Sequence, residues 1–200
     1  MRLRTAILLL PAIPAMPQAP SNVQTWLNRG TQAFETRQYA RAAEAYQTAV
    51  ALDRGRIEPH LFLGCAWMVQ FMFASESRPP ENLNFARKAE AEYGEARRLD
   101  PRNPTALKAL AMVTLDEAQA LNGEEKSRKL DDAKARYRQL LSADPRSELA
   151  NYSLGVIAWR QTYPVLAVAR KRLGMRPDAH GPLPDAAMRR EIRDRRVAII

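Results

Sequence analysis

Two hundred residues, 46% apolar and 26% charged, is the composition of a folded chain able to bury a sizeable core. Eight glycines against fourteen prolines argue against a fold built on glycine turns, and no apolar run approaches the roughly 18 residues that span a bilayer. One cysteine excludes an internal disulfide, and with two histidines it is too little for a closed four-ligand zinc site, so no metal or other cofactor is expected.

The net charge of +9, from 31 basic and 22 acidic residues, would favour an anionic partner if it were evenly spread. It is not. Residues 160–200 hold ten lysines and arginines against four acids, and residues 1–20 hold Arg2 and Arg4 with no acid, which leaves 19 bases and 18 acids between them. The basicity belongs to one end of the chain.

Residues 1–20 place two arginines before an apolar stretch from Ala6 to Ile13 that Pro11 interrupts, the outline of a secretory signal peptide with a poor cleavage site. The expected location is therefore periplasmic or secreted. The alternative is a disordered Pro/Ala-rich leader on a cytoplasmic protein.

From residue 21 an internal repeat sets in. In the first unit, about 23–56, Trp26-x3-Gly30 is followed by Ala42-x3-Tyr46-x2-Ala49 and Leu52-Asp53-Arg54. The second, about 57–103, has His60-x2-Leu63-Gly64-x2-Trp67, then Ala89-x3-Tyr93-x2-Ala96 and Leu99-Asp100-Pro101. The third, about 104–147, has Leu107-x2-Leu110-Ala111, then Ala133-x3-Tyr137-x2-Leu140 and Ala143-Asp144-Pro145. Steps of three and four return to one helical face, so each unit predicts two packed helices: a small residue on the first admits its neighbour, and a tyrosine on the second covers it. The second and third units are longer than the first between these motifs. Pro59 to about Ala74 predicts a long helix followed by a turn at Ser77–Glu81, and Asn122-Gly123 before Glu124 and Glu125 predicts a helix stop and a new start.

A fourth unit, about 148–163, opens with Asn151-x2-Leu154-Gly155, but its second half is not recognisable. Pro164 is expected to interrupt the helix, residues 161–185 to form an irregular Pro/Gly-containing connection, and residues 186–200 a basic helix. Its apolar end, Ile199-Ile200, points to a docked terminus or to a sequence cut short, and truncation is the preferred reading.

In this order, the small residue, the Ala-x3-aromatic-x2-Ala stripe and the closing proline resemble the tetratricopeptide repeat over about residues 22–160. Arg29, Ala33, Arg54 and Thr114 depart from the family's preferences. The resemblance implies an all-α, right-handed solenoid of antiparallel helix pairs, two of them with lengthened helices, acting as a non-enzymatic interaction scaffold. Its concave surface, lined by the first helices, would hold a peptide or helix of a partner protein. Carried over residue by residue, the lining is Leu27, Asn28, Thr31 and Glu35; Leu61, Phe62, Cys65 and Val69; Lys108, Met112 and Asp116; Tyr152, Val156 and Trp159. Family members that grip a chaperone's C-terminal carboxylate do so with cationic and amide side chains at slots that here hold Leu27, Thr31, Phe62, Thr105 and Ala109, none of them cationic.

Catalysis finds little support. Cys65 and His60 lie about 140° apart around an ideal helix and share no face; both read as packing residues, and His180 as a solvated loop residue. Glu90, Glu92, Glu95, Asp131 and Asp132 read as solvated helix faces. The alternative function is a polyanion adaptor binding nucleic acid or an anionic membrane surface through Arg170-Lys171-Arg172, Arg189, Arg190, Arg193 and Arg196. Glu191 and Asp194 dilute that helix and no aromatics alternate with the arginines to stack bases, which disfavours nucleic acid.

Overall fold

In the computed structural model the described residues are 22–73, 82–179 and 181–199, and within them the regular structure is helical. The leader, the expected turn at 77–81 and His180 lie outside the described residues. Three hairpins follow one another: α1 (Val23–Glu35) with α2 (Tyr39–Leu52), α3 (Ile57–Phe73) with α4 (Leu83–Leu99), and α5 (Pro104–Ala120) with α6 (Gly123–Ala143). Then come a single long α7 (Glu148–Arg172) and α8 (Ala186–Ile199). Each helix packs mainly on its sequence neighbours, so the chain is a helical solenoid with no strand among the described residues.

The repeated stripe explains the pairing. Ala42, Ala43 and Ala49 of α2, Ala86, Ala89 and Ala96 of α4, and Ala133 of α6 have no exposed surface, which lets the paired helix axes approach closely. A Cβ built on Gly64 would stand 2.6 Å from the Tyr93 ring, inside van der Waals contact, and one built on Gly30 would collide with the Tyr46 ring. In the third hairpin Ala111 and Tyr137 share one buried cluster. Each tyrosine thus sits in its own small core: Tyr46 with Leu27, Leu63 and Ala66; Tyr93 with Phe71, Leu110 and Val113; Tyr137 with Leu107, Leu130 and Ile157.

The closing aspartates turn the chain between units. Asp53, Asp100 and Asp144 each end a helix as its C-cap, and each side chain accepts a backbone N–H two residues on, from Gly55 (3.0 Å), Arg102 (3.1 Å) and Arg146 (3.1 Å). The Asn103 and Ser147 side chains then accept from Ala106 N–H and Ala150 N–H and cap the next helices. Gly123, at φ +57°, breaks α5 from α6 in the left-handed region that favours glycine, as Asn122-Gly123 predicts.

Charged side chains pin the second and third hairpins together. Glu117 of α5 has 3% of its side chain exposed and lies 2.7 Å from Lys129 Nζ, which also reaches Glu90 of α4 at 2.7 Å; Arg136 meets the other Glu90 oxygen at 2.7 Å. Desolvation pushes both carboxyls up; Lys129 and Arg136 outweigh it for Glu90, which stays below its ordinary value, while Glu117, also facing Glu90, stays above. Thr114, one of the departures from the family pattern, is fully buried and donates to the Leu110 carbonyl at 2.7 Å while its oxygen accepts from Arg136. His60, buried as expected, places Nδ1 2.7 Å from Glu92 and Nε2 3.2 Å from the Arg54 carbonyl, tying the first connector to α4. Glu90 and Glu92 are therefore structural partners, contrary to the solvated faces expected; Glu95, paired with Arg98 at the surface, fits that expectation.

The end of the chain also differs from expectation. Pro164 does not stop the helix: α7 continues to Arg172, and the connection shortens to residues 173–185. A proline inside a helix forfeits one N–H bond and strains the preceding turn. Against this, Val165, Val168 and Ala169 beyond it face Met188 and Ile192 of α8.

Two stability measurements check this picture. Gly64→Ala drives a methyl into the Tyr93 ring and should cost about 1–3 kcal/mol, whereas Gly155→Ala, in a helix with free space at that position, should gain roughly 0.8 kcal/mol from helix propensity. Lys129→Met leaves two adjacent carboxylates in the interior and should cost about 3 kcal/mol in urea unfolding; a loss under roughly 0.5 kcal/mol would reduce the cluster to an ordinary surface pair.

Candidate interaction surface

Each first helix must bury one face against its own second helix and another against its neighbours, which leaves one stripe facing outward. The residues expected on it recur at helical steps of three or four: Asn28, Thr31 and Glu35 on α1; Phe62, Cys65 and Val69 on α3; Lys108, Met112 and Asp116 on α5; Tyr152, Val156 and Trp159 on α7. Asn28, Thr31, Glu35, Phe62, Cys65, Lys108, Met112, Tyr152 and Trp159 are exposed, and Leu61, Val69, Asp116 and Val156 are half-buried. Leu27 is different. At 3% exposure it belongs to the first core, on the face that carries Gly30, and has no surface to give a partner.

The exposed members are unusually large and apolar for a surface: Phe62 is 41%, Met112 38%, Trp159 58% and Tyr152 73% exposed. Phe62 leans on the Tyr46 ring at 5.5 Å between centroids, so the same tyrosine that roofs Gly30 also supports the outward stripe. The Tyr46 hydroxyl and the Thr31 hydroxyl lie 3.3 Å apart, holding that edge. Trp159 pairs with Tyr163 at 5.1 Å. The spacing 152, 156, 159, 163 continues one stripe, to which Tyr163, not named in the expected lining, belongs.

Cys65 is at the surface and not in the inter-helix contact expected of it. Desolvation by its surroundings raises the thiol above its ordinary value, so at neutral pH it is protonated and a poor nucleophile. His60, which by its sequence spacing shares no helical face with it, is committed to Glu92 and Arg54. Among the described residues no three His, Cys, Asp or Glu side chains cluster as a metal site would need, and no helix is long and apolar enough to cross a membrane.

The basic end is partly spent on its own architecture. Arg170 is buried and donates to the Pro177 and Gly181 carbonyls, Arg189 donates to the Leu183 and Pro184 carbonyls, and Arg176 pairs with Asp178. Lys171, Arg172, Arg190 and Arg193 remain exposed.

Stacked helical hairpins with an outward first-helix stripe define an α-helical repeat protein. Residues 122–168, spanning α6 and most of α7, match the family model described as tetratricopeptide repeat, and the solenoid around them has the tetratricopeptide fold. Solved structures agree on that fold. The tetratricopeptide domain of Arabidopsis OM64 superposes with a TM-score of 0.50 at 16% identity, covering 68% of this chain and 93% of that one. The first tetratricopeptide domain of Spaghetti, solved bound to the HSP90 peptide SRMEEVD, gives 0.53 at 16% identity over 70% and 93%. A thermophilic tetratricopeptide protein from Thermus thermophilus gives 0.52 at 16% identity over 90% and 82%. No curated protein matched the chain.

Proposed function

We propose that this chain is a non-enzymatic interaction scaffold that holds a peptide or helix of a partner protein in the concave groove lined by α1, α3, α5 and α7. The observation that carries the reading is the run of exposed Phe62, Met112, Tyr152 and Trp159 on successive first helices. In water such side chains are a standing cost that a partner's apolar surface removes, at about 25 cal/mol per Å² buried. The polar groups beside them, Asn28, Thr31, Lys108 and Asp116, would fix register and direction more than affinity.

The ligand class follows from what the groove lacks. A carboxylate-terminated acidic tail needs convergent cations, and the corresponding slots hold buried Leu27, half-buried Ala109 and exposed Thr31, Phe62 and Thr105. The groove therefore suits an apolar strand or amphipathic helix. Export to the periplasm or beyond, read from Arg2 and Arg4 before an apolar stretch, completes the proposal, and N-terminal sequencing of the mature protein tests it.

Peptide display against the full chain tests the groove. Selected peptides should be apolar, should lose binding to Phe62→Glu and Met112→Glu proteins that melt like the parent, and should slow labelling of Cys65. Selection of no peptide, or binding indifferent to both substitutions, would remove the proposal. A peptide ending in EEVD should give no heat in calorimetry; a micromolar dissociation constant would show that charge recognition had been misjudged.

A further inference from the structure

The groove uses only one face of the last unit. Three small residues on first helices, Gly30, Gly64 and Ala111, lie beneath or beside a second-helix tyrosine. Gly155 holds the same place in the repeat on α7, yet no atom outside its own turn lies within 4 Å of where its Cβ would stand. It borders instead an open cavity of about 780 Å³ walled by Leu141, Leu154, Ala158, Leu166 and Ile192, with Trp159 and Tyr163 along one side. The helix that follows α7 does not fill it. α8 packs on α7 and, with Val165, Val168, Ala169 and Arg172, borders a second, smaller cavity farther along; it reaches this one through Ile192.

The chain itself displays the shape that fits. Where this position is filled, the filler is a helix presenting small-x3-Tyr-x2-small or small-x3-Tyr-x2-Leu, with the tyrosine laid across the small residue. The charge at this end of the chain is cationic as well: Arg138 lines the cavity, and Lys171, Arg172, Arg190 and Arg193 are exposed on the ends of α7 and α8 beyond it, against Glu191 and Asp194. A second copy of the chain fits poorly. Its own tyrosine stripes are buried in α2, α4 and α6, and it would bring the same basic end.

We propose that the Gly155 face is a second docking site, bordering the groove along Trp159 and Tyr163, that takes one amphipathic helix of another protein: a small-x3-aromatic-x2-apolar stripe turned inward, and acidic side chains turned toward the arginines. The docked helix supplies in trans the second half that the fourth hairpin lacks. Its aromatic ring lies across Gly155 as Tyr93 lies across Gly64.

A defined probe tests this with the full chain. The probe is the α4 sequence, residues 83–99, stapled through Ala91 and Glu95 to hold it helical, with Arg87, Lys88, Arg97 and Arg98 changed to glutamate and a fluorophore attached. Anisotropy should show saturable binding that weakens at least about tenfold in Gly155→Leu, and likewise in Ala158→Glu, with neither protein melting below the parent, while Phe62→Glu binds as before. The same probe with lysine at those four positions, or with aspartate in place of its tyrosine, should not bind. Absence of saturable binding, binding that survives both cavity substitutions, equal binding of the lysine probe, or a dimer of the parent that Gly155→Leu abolishes would each overturn the proposal.

Discussion

The contact on which everything else rests is a tyrosine ring packed against a residue too small to resist it. Gly64 beneath Tyr93 and Gly30 beneath Tyr46 bring two helices closer than any larger side chain would permit, and that proximity sets the spacing at which the next hairpin can stack. Burial also removes the ring hydroxyls from easy ionisation: desolvation raises Tyr46, Tyr93 and Tyr137 above their ordinary values, so these side chains stay neutral where a charge could not be tolerated. The solenoid is a chain of such local agreements, with one modest core per tyrosine in place of a single large one.

That economy of packing has a consequence for function. With the inward faces committed to rings and alanines, the outward stripes of α1, α3, α5 and α7 are free of packing duty, and they carry the large apolar groups on which the proposed groove depends. Where the local agreement fails to close, at Gly155, the same geometry becomes an opening. One rule thus produces both proposed surfaces: the groove is what the filled positions leave over, and the cavity is a position left unfilled.

Much of this was legible in the sequence because the signals were local. The small-residue and tyrosine spacings, the aspartates that close the units and Asn122-Gly123 all act within a few residues of themselves, and the helices lie where those signals put them. What escaped was long-range or overridden. Glu90 looked solvated because its partner Lys129 lies 39 residues away, and Glu92 because His60 lies 32 away, separations that no local pattern reports. Thr114 looked like a weakened family position, and its hydroxyl proved to be a contact for Arg136. Pro164 was judged by its local penalty, while tertiary contact with α8 carried the helix through it. Leu27 was assigned outward by transfer of a family slot, and its neighbour Asn28 is the residue that faces water.

The most direct measurement is a nuclear Overhauser experiment on the isotope-labelled chain. The account predicts strong cross-peaks from the Gly30 and Gly64 α-protons to the Tyr46 and Tyr93 rings, with upfield ring-current shifts, and no aromatic cross-peak of that strength at Gly155. Glycine α-protons at 30 and 64 with random-coil shifts and no ring neighbours would contradict it.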